Sequence, residues 1–110
     1  LSNRSHWSVV SALMGLAPRL LVLGGGGYNP WTVGRLWAGV WATLNGHEIP
    51  DRLPEEAETV LRGLSWTRQA RGPTPDHLMT TLKDRSRPGE VTDELRRDVK
   101  KLADRLVAWV

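Results

Sequence analysis

The residues of this chain that are best suited to chemistry lie in a glycine run that ends in a tyrosine. Four apolar residues at 20–23 lead into Gly24, Gly25, Gly26 and Gly27, and Tyr28, the only tyrosine of the chain, comes next. Glycines tolerate positive φ and place no side chain between the backbone and an approaching molecule. A phenolic hydroxyl can donate a hydrogen bond to negative charge that develops on an oxygen atom. The pattern is therefore typical of a ligand-binding turn with one polar group, and a boundary tyrosine without a chemical role is the alternative.

The glycine run, called the glycine loop (residues 24–27) from here on, allows several uses. A dinucleotide-binding loop needs G-x-G-x-x-G, and Asn29 stands where the third glycine should be. A phosphate-binding loop needs a Gly-Lys-Ser/Thr ending, which the sequence lacks. We favour a third use, the wall of a narrow substrate channel, with Gly26 and Gly27 as the contributing residues. A tight turn without a ligand stays open as an alternative.

The residues around the loop resemble a known family. The sequence Leu-Gly-Gly-Gly-Gly-Tyr at 23–28, followed by Asn29 and by a predicted helix with Arg-Leu-Trp at 35–37, resembles the late glycine-rich segment of the zinc-dependent histone deacetylases. It is most similar to the bacterial acetoin-utilisation branch of that family. The resemblance covers roughly the first half of the chain, and the glycine-tyrosine signature is its specific part.

The resemblance implies a reaction and a role for Tyr28. In the family this tyrosine is catalytic, and the reaction is hydrolysis of the acetyl amide of acetyl-lysine or a related acylated amine. A zinc ion polarises the carbonyl and activates a water, and the tyrosine hydroxyl stabilises the oxyanion. The zinc ligands of the family belong to earlier segments, so we expect them outside this chain and expect the chain alone to be inactive. None of the three histidines has a second ligand at the spacing of a metal pair; they are His6, His47 and His77.

Two helices and one strand are predicted to position the loop. Ser2 or Asn3 can cap a helix from about Arg4 to Leu16. The short apolar run at 20–23 predicts a strand over residues 19–23 that is buried on both faces. Asn29 and Pro30 predict the start of a second helix, and the Asn-Gly pair at 45–46 predicts its end. Trp31 is the tryptophan close enough to the loop to edge a pocket, and Gly34 and Gly39 inside the second helix predict close packing against a sheet.

The second half of the chain predicts an irregular surface segment and a terminal helix. Prolines interrupt residues 47–75, with a short helix from Pro54 to about Arg62 and with Trp66 as the anchor of the segment. A helical turn at 76–82 and a turn at 86–89 follow. Thr92 is predicted to cap a final helix whose apolar stripe packs on the same domain; the stripe consists of Leu95, Val99, Leu102, Leu106 and Trp109.

These elements predict an α/β fold. A lone buried strand leaves two rows of backbone groups unpaired, and the sequence begins at Leu1, so we interpret residues 1–110 as the C-terminal portion of a single larger domain. By resemblance, this is the three-layer α/β/α arginase–deacetylase fold with a parallel sheet. Residues 1–46 would form helix, strand, glycine loop and helix, residues 47–91 the surface segment, and residues 92–110 the terminal helix. The remainder of the domain would be the partner of this chain.

Composition restricts the function further. Fifteen basic residues are interspersed with twelve acidic ones, for a net charge of +3, which favours a mixed solvated surface over a nucleic-acid partner. The absence of cysteine excludes disulfides and thiolate metal sites and fits a cytoplasmic protein. No apolar run approaches the roughly 20 residues that span a bilayer. The alternative function is a non-catalytic interaction module that uses its arginine-rich surface or its C-terminal helix.

Overall fold

The structure, a computed structural model, describes residues 2–67, 72–85 and 89–107. Five helices lie in these ranges: α1 (Asn3–Leu13), α2 (Pro30–Leu44), α3 (Glu55–Gly63), α4 (His77–Thr80) and α5 (Asp93–Val107). None of the helices in these ranges is both long and apolar enough to cross a membrane.

The first two helices begin at the predicted caps. The Ser2 side chain accepts a hydrogen bond from Ser5 N, which makes Ser2 the N-cap of α1. The Asn29 side chain accepts hydrogen bonds from Trp31 N and Thr32 N, each at 3.1 Å, and so caps α2. α1 ends at Leu13, earlier than the predicted Leu16, since the backbone leaves the helical region at the next residue. α2 ends before Gly46, whose φ of +67° is the left-handed conformation expected there.

Residues 19–23 lie in the connection between α1 and α2 and form no strand. The part of the chain that the structure describes contains no strand and no sheet, so the predicted α/β fold with one clear strand in a parallel sheet is wrong. The apolar side chains of the connection are also not buried, because Leu21 and Leu23 are 80% and 77% exposed. A strand requires a neighbouring backbone to receive its N–H groups, and an apolar run in the sequence cannot report whether that neighbour exists.

The packed centre of the molecule lies between α1 and α2. Trp7 of α1 is buried against Gly39 of α2, where an added Cβ would lie only 2.0 Å from Trp7 Cε2. The Trp7 indole also donates a hydrogen bond of 3.0 Å to the carbonyl oxygen of Leu36. The close approach predicted at Gly39 is therefore made with a tryptophan of another helix instead of a sheet. A Cβ at Gly34 would meet open space, so the prediction is wrong there.

α2 also contacts the segment that holds the short helices α3 and α4. Both ends of α3 lie within one residue of the predicted ends, and Gly63 is its last residue. α4 lies inside the helical turn predicted at 76–82. The Trp31 indole donates a hydrogen bond of 2.9 Å to the carbonyl oxygen of Leu61 in α3. Trp66, the predicted anchor of this segment, is half-buried. Residues 86–88 of the predicted turn lie outside the described residues.

α5 begins where the sequence predicts, but its apolar stripe is not covered by the described residues. The Thr92 hydroxyl accepts from Leu95 N at 3.2 Å, as a cap does. Leu95, Val99 and Leu102 are 52–59% exposed, so the described residues do not cover these three positions, and the packing of the stripe on the domain stays a prediction. The side chain of Leu106 and all of Trp109 lie outside the described part.

Candidate functional site

Tyr28 stands at the end of the glycine loop, directly before the cap of α2. Its side chain is 80% exposed, so it is free to meet a molecule that approaches the loop. Gly26 and Gly27 have φ of +70° and +75°. Side chains disfavour this left-handed region, and the backbone therefore requires glycine at both positions. The sequence predicted this permissive bend, and the structure has it at the two glycines nearest the tyrosine.

The loop lies against one face of α2. A Cβ added at Gly24 would lie 3.1 Å from Trp37 Cζ2, and one added at Gly27 would lie 2.9 Å from Val33 Cγ2. Val33 and Trp37 are one turn apart and so share a helix face. A Cβ at Gly26 would meet nothing within 4 Å. The loop thus has a packed side, which faces α2, and an open side.

A buried arginine fixes α2 at its second turn. Arg35 is 2% exposed, its Nη1 lies 3.0 Å from Asp84 Oδ1, and its Nε donates to the carbonyl oxygen of Thr81 at 2.6 Å. The other oxygen of Asp84 accepts from Asn3 N of α1 at 2.9 Å. Asp84 therefore joins the starts of α1 and α2 through one carboxylate.

The sequence shows Arg35 only as part of the Arg-Leu-Trp motif and does not predict its burial. The signal was present, because Arg35 is the one charged residue of an otherwise apolar or neutral helix. A charged side chain on such a helix is buried only when it is paired. Its partners, at 81 and 84, lie too far along the chain to be identified from spacing.

Trp31 does not edge a pocket, so that prediction is wrong. It is only 3% exposed, and its N–H is engaged by Leu61. Two open grooves, of about 390 and 410 Å³, lie beside α3 and beside α1. Neither Tyr28 nor a glycine of the loop lines these two grooves, so the predicted channel wall of Gly26 and Gly27 is not enclosed by the described residues and stays a prediction.

The described residues do not bring metal ligands together. No group of three or more His, Cys, Asp or Glu within residues 2–67, 72–85 and 89–107 could hold a metal ion. His6 Nδ1 is hydrogen-bonded within α1 to the Ser2 carbonyl at 3.0 Å, and the His47 ring stacks on Trp41 with centroids 5.0 Å apart. Both histidines are exposed on the surface of the molecule.

Several arginines and lysines of the surface are paired with carboxylates away from the loop. Glu58 Oε1 accepts from Arg52 Nε at 2.8 Å, and this hydrogen bond raises the pKa of Arg52. A hydrogen bond to Asp76 raises the pKa of Arg62. The Lys83 ammonium, which hydrogen-bonds to Asp51, lowers the pKa of that carboxyl. These pairs reduce the positive charge available to an anionic partner.

Comparison with known proteins adds the family context. No family model and no curated protein matches the chain. Two solved structures are similar to it, an HDAC homolog from Aquifex aeolicus and an HDAC homolog complexed with SAHA. Each is 30% identical to this chain, with a TM-score of 0.75 over 92% of it, and the chain spans 27% of the length of the solved proteins. In backbone and in part of its sequence, this chain is thus similar to the HDAC homologs, which supports the resemblance to the histone deacetylase family.

Proposed function

We propose that this chain is the part of a deacetylase that supplies Tyr28 to the hydrolysis of an acetyl amide. The observation that carries the proposal is the exposed Tyr28 side chain at the end of a bend with two positive-φ glycines. The likeness to the HDAC homologs supports the same reaction class. The substrate would be acetyl-lysine or a related acylated amine. Within the family, we place the chain in the acetoin-utilisation branch and at the C-terminal end of its domain.

In this reaction, the role of Tyr28 is to stabilise the oxyanion. Attack of water on the acetyl carbonyl turns the carbonyl oxygen into an oxyanion, and the phenolic O–H donates a hydrogen bond to that oxygen. Negative charge is larger in the transition state than in the substrate, so this bond lowers the barrier rather than only tightening binding. Loss of one such donor typically reduces turnover by ~10²–10³-fold. Gly26 and Gly27 would let the substrate stem approach, because neither carries a side chain of its own, although only Gly26 has its Cβ position beside open space.

The residues that the structure describes do not supply ligands for the metal of the family. The described ranges bring no ligand set together, so the proposal takes zinc and its ligands from the remainder of a deacetylase domain. When bound, zinc would polarise the carbonyl and activate the water. The 110 residues by themselves would therefore be inactive, and added zinc would not restore turnover.

The test is Tyr28→Phe in the complete protein that carries this chain. We expect kcat on an acetyl-lysine peptide to fall by ~10²–10³-fold, because the ring stays and only the donor is lost. Zinc content, far-UV circular dichroism and binding of SAHA, which one HDAC homolog binds, serve as controls of integrity. Trp41→Phe is the matched control, since Trp41 is an exposed aromatic residue of α2 and should leave kcat unchanged. Near-normal turnover of Tyr28→Phe would contradict the proposal.

A non-catalytic interaction module is the second candidate. The exposed stripe of α5, with Val99 59% exposed, favours it. On this reading, the isolated chain unfolds in one sharp thermal transition and Tyr28→Phe has no effect on any activity. A broad transition together with loss of turnover in Tyr28→Phe favours the deacetylase. Either way, we propose a cytoplasmic protein without a nucleic-acid or membrane partner, on its mixed surface charge and lack of cysteine.

A further inference from the structure

We propose that Trp37 and Val33 are positioning residues for Tyr28: they form a platform on α2 that sets the path of the glycine loop. The catalytic consequence rests on the proposed function, whereas the positioning itself does not.

α2 is fixed on the side away from the loop. Trp31 and Arg35 are one turn apart and 3% and 2% exposed. Each donates a hydrogen bond to a backbone carbonyl of another segment, at 2.9 Å to Leu61 and at 2.6 Å to Thr81. Residues two positions further along a helix lie on roughly the opposite face. The face that carries Val33 and Trp37 is therefore held in place from behind.

The loop contacts this fixed face at its first and last glycine. A Cβ at Gly24 would approach Trp37 Cζ2 to 3.1 Å and Cε2 to 3.5 Å, and a Cβ at Gly27 would approach Val33 Cγ2 to 2.9 Å. No positive φ is found at Gly24, so the indole alone explains the need for glycine there. At Gly27, the contact and the φ of +75° act together.

Gly25 and Gly26, the two inner glycines of the loop, do not contact α2 through their Cβ positions. A Cβ at Gly25 or Gly26 would meet nothing within 4 Å. The four glycines thus divide into an outer pair that permits contact with α2 and an inner pair beside open space. Of the two glycines assigned to the substrate side, Gly26 has the open position, and Gly27 is required by the contact with Val33.

Tyr28 receives its direction from the backbone on both sides. Gly27 rests on Val33, and Asn29 is tied to α2 by the two cap hydrogen bonds. The 80% exposed side chain of Tyr28 has little packing of its own to hold it. Loss of the platform should therefore allow the Tyr28 hydroxyl to leave its position. Misplacement of a reacting group by about 1 Å can lower the rate of a reaction ~10²-fold.

The first experiment measures position without activity. 3-Fluorotyrosine incorporated specifically at position 28 of the complete protein gives one ¹⁹F resonance, which reports on Tyr28. We expect the wild-type resonance to be dispersed from the chemical shift of the unfolded protein. In Gly24→Ala, which keeps the indole but adds a methyl group against it, the resonance should move toward that shift by more than its linewidth. Trp37→Phe, which keeps a flat ring, should move it less than Trp37→Leu. Trp41→Leu, one turn further along α2, should not move it.

The second experiment measures turnover in the complete protein. Gly24→Ala and Trp37→Leu should each lower kcat about tenfold, with KM changed less than about twofold, because the hydroxyl acts in the transition state. The double variant Gly24→Ala/Trp37→Leu should recover kcat above Gly24→Ala alone, since the smaller side chain makes room for the methyl group. A general loss of folding would not produce this rescue.

The outcomes separate the two proposals. An unmoved resonance and unchanged kcat in both Gly24→Ala and Trp37→Leu, or a wild-type resonance at the unfolded position, overturns the platform. If the resonance moves as expected and the wild-type protein has no deacetylase activity, the platform stands and the proposed function fails. If Trp37→Leu does not fold, the resonance and kcat of Gly24→Ala are compared with those of Trp37→Phe. This comparison then shows whether the platform stands or is overturned.

Discussion

Alanine at Gly39 and alanine at Gly34 should change stability in opposite directions, although both glycines lie inside α2. Alanine is the better helix former by about 1 kcal/mol, so helix propensity alone predicts a gain at both positions. At Gly34 a Cβ meets open space, and we expect that gain. At Gly39 a Cβ would lie 2.0–2.4 Å from three atoms of the Trp7 indole, which cannot bend away as a flexible side chain would.

The loss of stability expected for Gly39→Ala depends on the contacts that Trp7 loses. Forcing extra volume into a packed contact typically costs about 1–3 kcal/mol. If the indole moves far enough to lose its hydrogen bond to Leu36, about 1 kcal/mol more is lost. After the gain in helix propensity is subtracted, Gly39→Ala should lower the free energy of unfolding by ~1–3 kcal/mol. For a domain of this size, that corresponds to a fall in Tm of roughly 5–20 °C.

Urea unfolding followed by circular dichroism at the helical band measures both variants. A double variant Gly39→Ala/Trp7→Leu provides a further check, because removal of the indole should cancel most of the penalty of the added methyl group. If Gly39→Ala is as stable as Gly34→Ala, the close contact between α1 and α2 is wrong. Additive effects of the two changes in the double variant would lead to the same conclusion.

Three other perturbations test the anchors of α2 and the surface charges. Asp84→Ala should cost about 2–3 kcal/mol in urea unfolding, because it leaves the buried Arg35 cation without its carboxylate, and Arg35→Met in the same chain should recover part of the loss. Asn29→Ala should cost ~1 kcal/mol through loss of the α2 cap, whereas Asn29→Ser should retain most of it; an equal loss for both would exclude the capping role. The pKa of Asp51 is lowered from 3.8 by Lys83, so the pair stabilises the fold above that pH and its contribution is lost as the pH falls through the lowered pKa. Melting curves across the acid range should therefore show a smaller loss of Tm below pH 3.8 for Asp51→Asn than for wild type, and identical acid limbs would contradict the pairing.

Local signals in the sequence were sufficient to predict the helices. The cap at Asn29, the proline after it and the glycine at 46 act on neighbouring backbone groups only, so their effect does not depend on the rest of the chain. The predicted strand at 19–23 failed for the opposite reason. Strand formation depends on hydrogen bonds to a neighbour that the residues of the run do not encode, and in the described residues that neighbour is absent.

The features of the candidate site also differ in whether local residues or distant ones determine them. The glycine-tyrosine signature and the positive φ at Gly26 and Gly27 could be predicted, because an unbroken glycine run has a local meaning. The burial of Arg35 and of Trp31 could not, since it depends on carbonyl oxygens 46 and 30 residues further along the chain. Trp31 illustrates the error well: proximity to the loop in sequence suggested a pocket residue, while its indole faces α3.

The hydrogen bond from the Trp31 indole to Leu61 has a consequence for how the molecule unfolds. The last four carbonyl groups of a helix lack donors within the helix, and Leu61 lies in the final turn of α3. Its remaining backbone donor, Leu64 N, is at 3.4 Å, so a side chain of α2 supplies the shorter bond to this carbonyl. A nine-residue helix is marginal in water by itself. α3 should accordingly open whenever α2 does, which makes the two a single cooperative unit although 10 residues of irregular chain separate them.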